Sequence, residues 1–246
     1  MEIKAISGDI TRVDAGAVIV NLFEGVERPG GATGAADSAL DGAISRLIAD
    51  GEIKGKKGEV TVIHTLGKIP PARVVVAGLG KREEFNVDAV RQVMATTARR
   101  LRGAGIQRVA TILHGAGIGG LETSQAAQAV AEGSLLGLYT FKRHFSKSDE
   151  KDIQELTVVE SDGSRLPAIQ KALDRGKIIA EAAILARDMV NEPSNFMTPT
   201  HLAEVAARVA RKHGLEFTVL DRPQMEELGM GALLGVARGS AEPPKF

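Results

Sequence analysis

Arg73-Val74-Val75-Val76-Ala77-Gly78 is a run in which every position after the arginine is apolar or glycine. A strand with one wet face alternates apolar and polar residues. A strand covered on both faces has no reason to, so this run reads as the middle of a sheet with helices packed on either side. Working outward, Glu59-Val60-Thr61-Val62-Ile63-His64 is a second strand and Ala17-Val18-Ile19-Val20-Asn21-Leu22 a third, both rich in β-branched residues. Val109 to Leu113 and Leu156-Thr157-Val158-Val159 add two more toward the C-terminus.

Between the strands the apolar period changes to that of a helix. Ala35 to Ala49 reads as one helix with Leu40, Ile44, Leu47 and Ile48 on one side. Asn86 is a good N-cap for the next, in which Val87, Val90, Met94, Ala98 and Leu101 recur until Gly103 and Gly105 stop it. Ser124 to Tyr139 is a third. Strands separated by helices of this length predict an α/β fold, a mainly parallel or mixed sheet with helices on both faces. The polar runs Lys147 to Asp152 and Ser161 to Ser164 are loops, and the first domain is expected to span residues 1–163.

Residues 164–190 are expected to form a connecting helix with an apolar stripe of Ile178, Ala182, Leu185 and Met189. Pro193 ends it, because the residue before a proline is pushed out of the α region. Thr198-Pro199 then opens a new helix as N-cap and first-turn proline, carrying Leu202, Val205, Ala206 and Val209 inward until Gly214. Phe217 to Leu220 reads as a strand, Met225 to Leu228 as a short helix, and Ala232 to Ala237 as a strand or buried turn.

Composition narrows the function classes. The 246 residues carry 31 Lys plus Arg against 31 Asp plus Glu, so no global field steers the chain onto nucleic acid or an anionic membrane. There is no cysteine, which removes disulfides, thiolate metal sites and a cysteine nucleophile. The N-terminus lacks a signal pattern and no apolar run approaches the roughly 20 residues of a membrane span. A cytoplasmic protein with no membrane and no nucleic-acid partner is expected. The histidines His64, His114, His144, His201 and His213 show no ligand spacing and read as surface or capping residues. Ser7, Ser194 and Ser240 lie in no G-x-S-x-G elbow. Gly115-Ala116-Gly117-Ile118-Gly119-Gly120 satisfies G-x-G-x-x-G, a turn that places phosphate on helix N–H groups. The acid that should follow about 20 residues later at a strand end is missing, since Glu132 lies inside a predicted helix. A tight scaffold loop is the plainer reading.

Several segments together resemble the leucyl aminopeptidase family. Asn191-Glu192-Pro193-Ser194-Asn195 followed by Thr198-Pro199 is similar to the signature at the start of that family's catalytic domain, with Arg187-Asp188 upstream. Gly229 to Ser240 followed by Pro243-Pro244 resembles a second stretch of it. Val74 to Gly80 and Glu132-Gly133 through Tyr139 and Phe141 resemble its N-terminal domain. The resemblance implies part of a hexameric cytosolic metalloexopeptidase that removes N-terminal residues from peptides. Two divalent ions, Mn or Zn, would polarise the scissile carbonyl and activate a water. The ligand segments that the family uses do not occur among these residues, so residues 191–246 are expected to be only the start of a catalytic domain. No catalytic or metal-binding residue is assigned in the chain, no metal is expected on it, and no peptidase activity is expected from it alone.

A second resemblance is to the macrodomain, an ADP-ribose-binding module. It rests on Gly8-Asp9-Ile10-Thr11, Ala17 to Asn21 and Gly30-Gly31-Ala32, with Gly115 to Gly120 as the second loop. It implies a macrodomain-like first domain in which Asp9, Gly115, Gly117 and Gly120 are nucleotide-loop candidates. Asn21-Leu22-Phe23-Glu24 departs from that family's pattern after the strand. The remaining alternative is a non-catalytic assembly domain.

Overall fold

The protein is described here by a computed structural model covering residues 1–117, 119–146 and 151–246. Its residues fall into two compact units, Met1–Ile184 and Leu185–Phe246.

The first unit is a six-stranded sheet in the order β1-β6-β5-β2-β4-β3. The strands are β1 (Glu2–Ser7), β2 (Ala17–Phe23), β3 (Val60–His64), β4 (Arg73–Gly80), β5 (Arg108–Thr111) and β6 (Glu155–Glu160). All neighbours pair in parallel except β3, which runs antiparallel along the β4 edge. The mixed α/β sheet expected from the apolar runs is therefore present. β1 is an addition: in Glu2-Ile3-Lys4-Ala5-Ile6-Ser7 the charged residues mask a short strand, which finds its partner only in β6, at Ile3↔Leu156 and Ala5↔Val158.

Alternation along the central strands builds two cores. Ile19, Phe23, Val75, Ala77 and Leu79 face one way, against α3 (Val87–Gly103), α4 (Thr123–Leu138) and α5 (Leu166–Asn191). Val18, Val20, Leu22, Val74 and Val76 face the other, against α1 (Gly31–Ala39) and α2 (Ala43–Ala49). Burial on both faces is why β4 reads as a continuous apolar run.

The single helix expected over 35–49 is two. Asp41 and Gly42 both take left-handed backbone, at φ 54° and 75°. The Asp37 carboxylate then accepts from the Ser45 amide at 2.9 Å and its hydroxyl at 2.5 Å, fixing the corner. Asn86 caps α3 as expected, accepting from Ala89 N at 3.0 Å. α3 and α4 approach closely: a Cβ on Gly133 would lie 2.4 Å from the Arg91 carbonyl oxygen, and one on Gly137 2.4 Å from the Ala95 Cα. Across this contact the buried Glu132 accepts from Arg91 Nε at 2.5 Å and from Gln128 Nε2 at 2.7 Å. Glu132 is thus a structural ion-pair residue, consistent with its dismissal as a ribose ligand.

α5 does not bury the expected stripe. Ile169, Ala172, Leu173, Gly176 and Ala180 face inward, whereas Ile178, Ala182 and Leu185 are exposed and Met189 half-buried. The side is chosen by α4, whose Gln128 and Ala131 leave room only for a glycine at position 176. Of the expected loop over 147–152, residues 147–150 lie outside the described residues.

In the second unit α5 ends at Asn191 and a tight turn follows, with Phe196 N and Met197 N both donating to Pro193 O at 2.8 and 2.9 Å. Thr198 caps α6 (Pro199–His213), accepting from His201 N at 3.3 Å, and Gly214 closes it in left-handed backbone. Thr198 and Pro199 act as expected. α7 (Arg222–Glu227) is the anticipated short helix. Two expectations are corrected. Phe217–Leu220 forms no ladder among the described residues; its pairing is the exchange between Leu220 and Phe246 at 2.8 and 3.1 Å. Ala232–Ala237 belongs to a helix, α8 (Gly231–Ala237), whose Ala and Leu residues are strong helix formers.

Candidate functional site

In the first unit β1 and β2 follow one another in the chain but are separated in the sheet by β6 and β5. Crevices in open α/β sheets form where the strand order reverses, outside the carboxyl ends of the strands. A cleft of about 560 Å³ opens there. Each strand that ends at it contributes: Gly8 and Asp9 after β1, Gly31 and Ala32 after β2, Ile112, Leu113, Ala116 and Gly117 after β5, and Ser161 and Arg165 after β6.

The nucleotide-loop candidates divide. Asp9 and Gly117 line the cleft; Gly115 and Gly120 do not. Asp9 is occupied locally, its Oδ1 accepting from Thr11 N at 2.9 Å and Thr11 Oγ1 at 2.8 Å. These bonds, with Arg12 beside them, hold its carboxyl below the ordinary aspartate value. Gly115 has a packing explanation: a Cβ there would meet the Phe85 ring at 2.3 Å. Gly117 has open space where its Cβ would be, as do Gly30 and Gly31 across the cleft. Gly30 is the N-cap of α1 and supplies no side-chain cap, so the first-turn N–H groups of Gly31, Ala32 and Thr33 lack partners within the helix. Backbone donors of this kind suit an anion. The cation of the cleft is Arg165, whose Nε lies 3.3 Å from Asp162 Oδ2. Arg165 and Ser161 escaped notice in the sequence because no motif marks them; only the parallel pairing of β6 with β1 brings them beside Asp9.

His114 overturns its reading as a surface or capping residue. It is fully buried behind the cleft, between Asn21 and Thr111, and desolvation lowers its pKa from 6.5 to about 4. Its neighbour Gly115 gave the only local hint, as the start of the loop.

The second unit holds an apolar groove of about 540 Å³ lined by Met197, Pro199, Leu202, Phe217, Val219 and Phe246, among others. Among the described residues no group of three or more His, Asp or Glu is placed to hold a metal ion. His201 Nδ1 meets Glu204 at 3.3 Å, a pair and not a cluster. The described residues therefore do not supply the ligand set of a two-metal centre. Among the described residues no helix is long and apolar enough to cross a membrane.

Comparison with known proteins matches both units. Residues 19–148 match the N-terminal domain of the cytosol aminopeptidase family, and residues 184–246 match its catalytic domain. A probable cytosol aminopeptidase of Alkaliphilus metalliredigens (strain QYMF) is 36% identical over 249 residues, covering 100% of this chain and 50% of that protein. One from Geotalea uraniireducens (strain Rf4) is 38% identical over 212 residues, covering 85% of this chain and 42% of its own length. The chain thus spans about half the length of the curated relatives it matches. Among solved structures, the bottromycin maturation enzyme BotP in complex with Mn superposes with a TM-score of 0.74 at 28% identity, over 94% of this chain and 44% of that one. A tomato leucine aminopeptidase mutant superposes with a TM-score of 0.84 over 100% of this chain and 49% of that one; at 23% identity it supports the fold alone. With two consecutive domain models matched in order on a sheet of the expected class, the chain belongs to the cytosol aminopeptidase family.

Proposed function

We propose that residues 1–246 are the N-terminal domain and the opening of the catalytic domain of a metal-dependent aminopeptidase that releases N-terminal residues from peptides. The carrying observation is the ordered match of both family domains, at 19–148 and 184–246. Residues 1–163 are the sheet domain, 164–190 a connecting helix and 191–246 the start of the peptidase domain. The two divalent ions, Mn or Zn, are held by residues that follow position 246 in the longer relatives. The greater length of those relatives, of which this chain covers about half, supports this placement. Hexameric assembly, a cytoplasmic location and a preference for bulky apolar N-terminal residues accompany the family reading.

The test joins residues 1–246 to the C-terminal half of the Alkaliphilus metalliredigens relative and assays a leucyl amide with Mn²⁺. The chimera should hydrolyse it, and the 246-residue chain alone should match its metal-free control. A folded but inactive chimera would remove the peptidase reading. Metal-dependent turnover by the short chain would remove the placement of the ions.

A second reading concerns the cleft, where Asp9, Gly31, Gly117 and Arg165 meet uncapped amides of α1. This arrangement supports binding of a phosphorylated nucleotide of the ADP-ribose kind. Calorimetry with ADP-ribose should give saturable heat that weakens in R165A. Absence of heat at millimolar ligand would dispose of it.

A further inference from the structure

β1 forms one edge of the sheet, with β6 as its strand neighbour. Glu2 N donates to Gln154 O at 2.8 Å and Gly8 N to Glu160 O at 3.0 Å, both toward β6. Backbone groups alternate in direction along a strand, so Lys4 and Ile6 also turn to β6 while Ile3, Ala5 and Ser7 turn outward. Such an outward row is a template for pairing with another chain. On β1 a side chain of α5 occupies it. Ala5 N donates to Gln170 Oε1 at 2.8 Å, and Gln170 Nε2 donates to Ile3 O at 3.4 Å. A residue of a further parallel strand, opposite Lys4, would meet the same two groups, giving its N–H to Ile3 and accepting from Ala5. The Gln170 carboxamide thus stands in for one peptide unit of a missing strand. Asp174 Oδ1 accepts from Nε2 at 2.9 Å and fixes the orientation, since a flipped amide would set its oxygen against that carboxylate.

We infer that Gln170 is a plug that keeps the β1 edge from pairing with the β1 edge of a second copy of this chain. Charge selects that occupant. In an antiparallel pair centred on Ile3, Glu2 of each copy lies opposite Lys4 of the other, an isologous and complementary match. The outward groups of Ile3 and Ala5 supply the ladder of that register. Two of them, Ile3 O and Ala5 N, are the groups that Gln170 holds. α5 is fastened without this contact, because Ile169 and Leu173 are fully buried in the core that includes Ile3.

Sedimentation velocity on the 246-residue protein tests the plug, with the native chain as baseline. Gln170→Ala keeps a strong helix former in α5 and uncovers Ile3 O and Ala5 N. Its mass should rise with concentration to about twice the native value, the signature of a twofold pair. Adding Ala5→Pro removes the outward N–H and leaves the β6 ladder intact, as an edge proline can, so the mass should return to baseline. Adding Glu2→Lys instead sets like charges opposite one another and should do the same. A Gln170→Ala protein that loses stability but keeps the native mass at every concentration overturns the plug, as does association that survives Ala5→Pro or Glu2→Lys. Amide exchange by NMR gives a reading on the native protein itself. The Ala5 N–H should be protected, and Gln170→Ala at low concentration should accelerate it roughly tenfold, the loss of one net hydrogen bond. An Ala5 amide that exchanges without protection in the native chain overturns the plug whatever the variants do.

Discussion

His114 carries an acid sensitivity that can be worked out from its surroundings. The ring is fully buried, its neighbours on both nitrogens are neutral, and desolvation alone takes its pKa from 6.5 down to about 4. The folded state therefore holds a neutral imidazole where the unfolded chain would protonate it. Its contribution is complete above pH 6.5, is lost progressively as pH falls from 6.5 to 4, and changes no further below that. The full loss is about 3 kcal/mol, and about 2 kcal/mol of it falls between pH 7 and pH 5. Urea unfolding at those two pH values measures it. The chain has no Trp and one Tyr, Tyr139, at the end of α4, so tyrosine fluorescence reports on the first unit. The His114→Gln variant supplies the control, because glutamine does not titrate. At pH 7 it should be less stable by about 1–3 kcal/mol through imperfect replacement of buried hydrogen bonds. At pH 5 the gap should close or reverse. Equal losses of stability by the native protein and the variant between pH 7 and pH 5 would refute the assignment of the proton to His114.

Two further outcomes concern the contact between α3 and α4. Gly137→Ala places a methyl 2.4 Å from the Ala95 Cα, which only a helix shift can relieve; a stability loss of about 2–3 kcal/mol is expected by urea titration, and a neutral result would show that the helices are not so close. Arg91→Met strands the buried Glu132 carboxylate with Gln128 as its remaining partner and should cost about 3 kcal/mol. Asp88→Ala removes an exposed partner of the same arginine and should cost under about 1 kcal/mol; comparable losses in the two variants would contradict a dominant buried pair.

Much of the architecture was legible because local chemistry and tertiary context agree. The apolar run at 74–77 has few alternatives to a central strand, and Asn86 and Thr198 are caps wherever a helix follows them. The misreadings arose where two local signals competed. Asp41-Gly42 is a turn signal embedded in a helical pattern, and the turn won because both residues reach left-handed backbone. On α5 the sequence offers two apolar stripes, and periodicity cannot say which of them α4 will cover.

Sequence order by itself determined the family, since ordered motifs on either side of α5 survive without reference to space. It also determined the alternation of strands and helices, which is a property of neighbouring residues. Only the tertiary structure decided that the ends of β1, β2, β5 and β6 meet in one cleft, that Arg165 stands near Asp9, and that His114 is buried and neutral. The physical reason is that strand pairing joins residues far apart in the chain: His114 and Asn21 lie 93 positions apart, yet their side chains are 2.9 Å from one another.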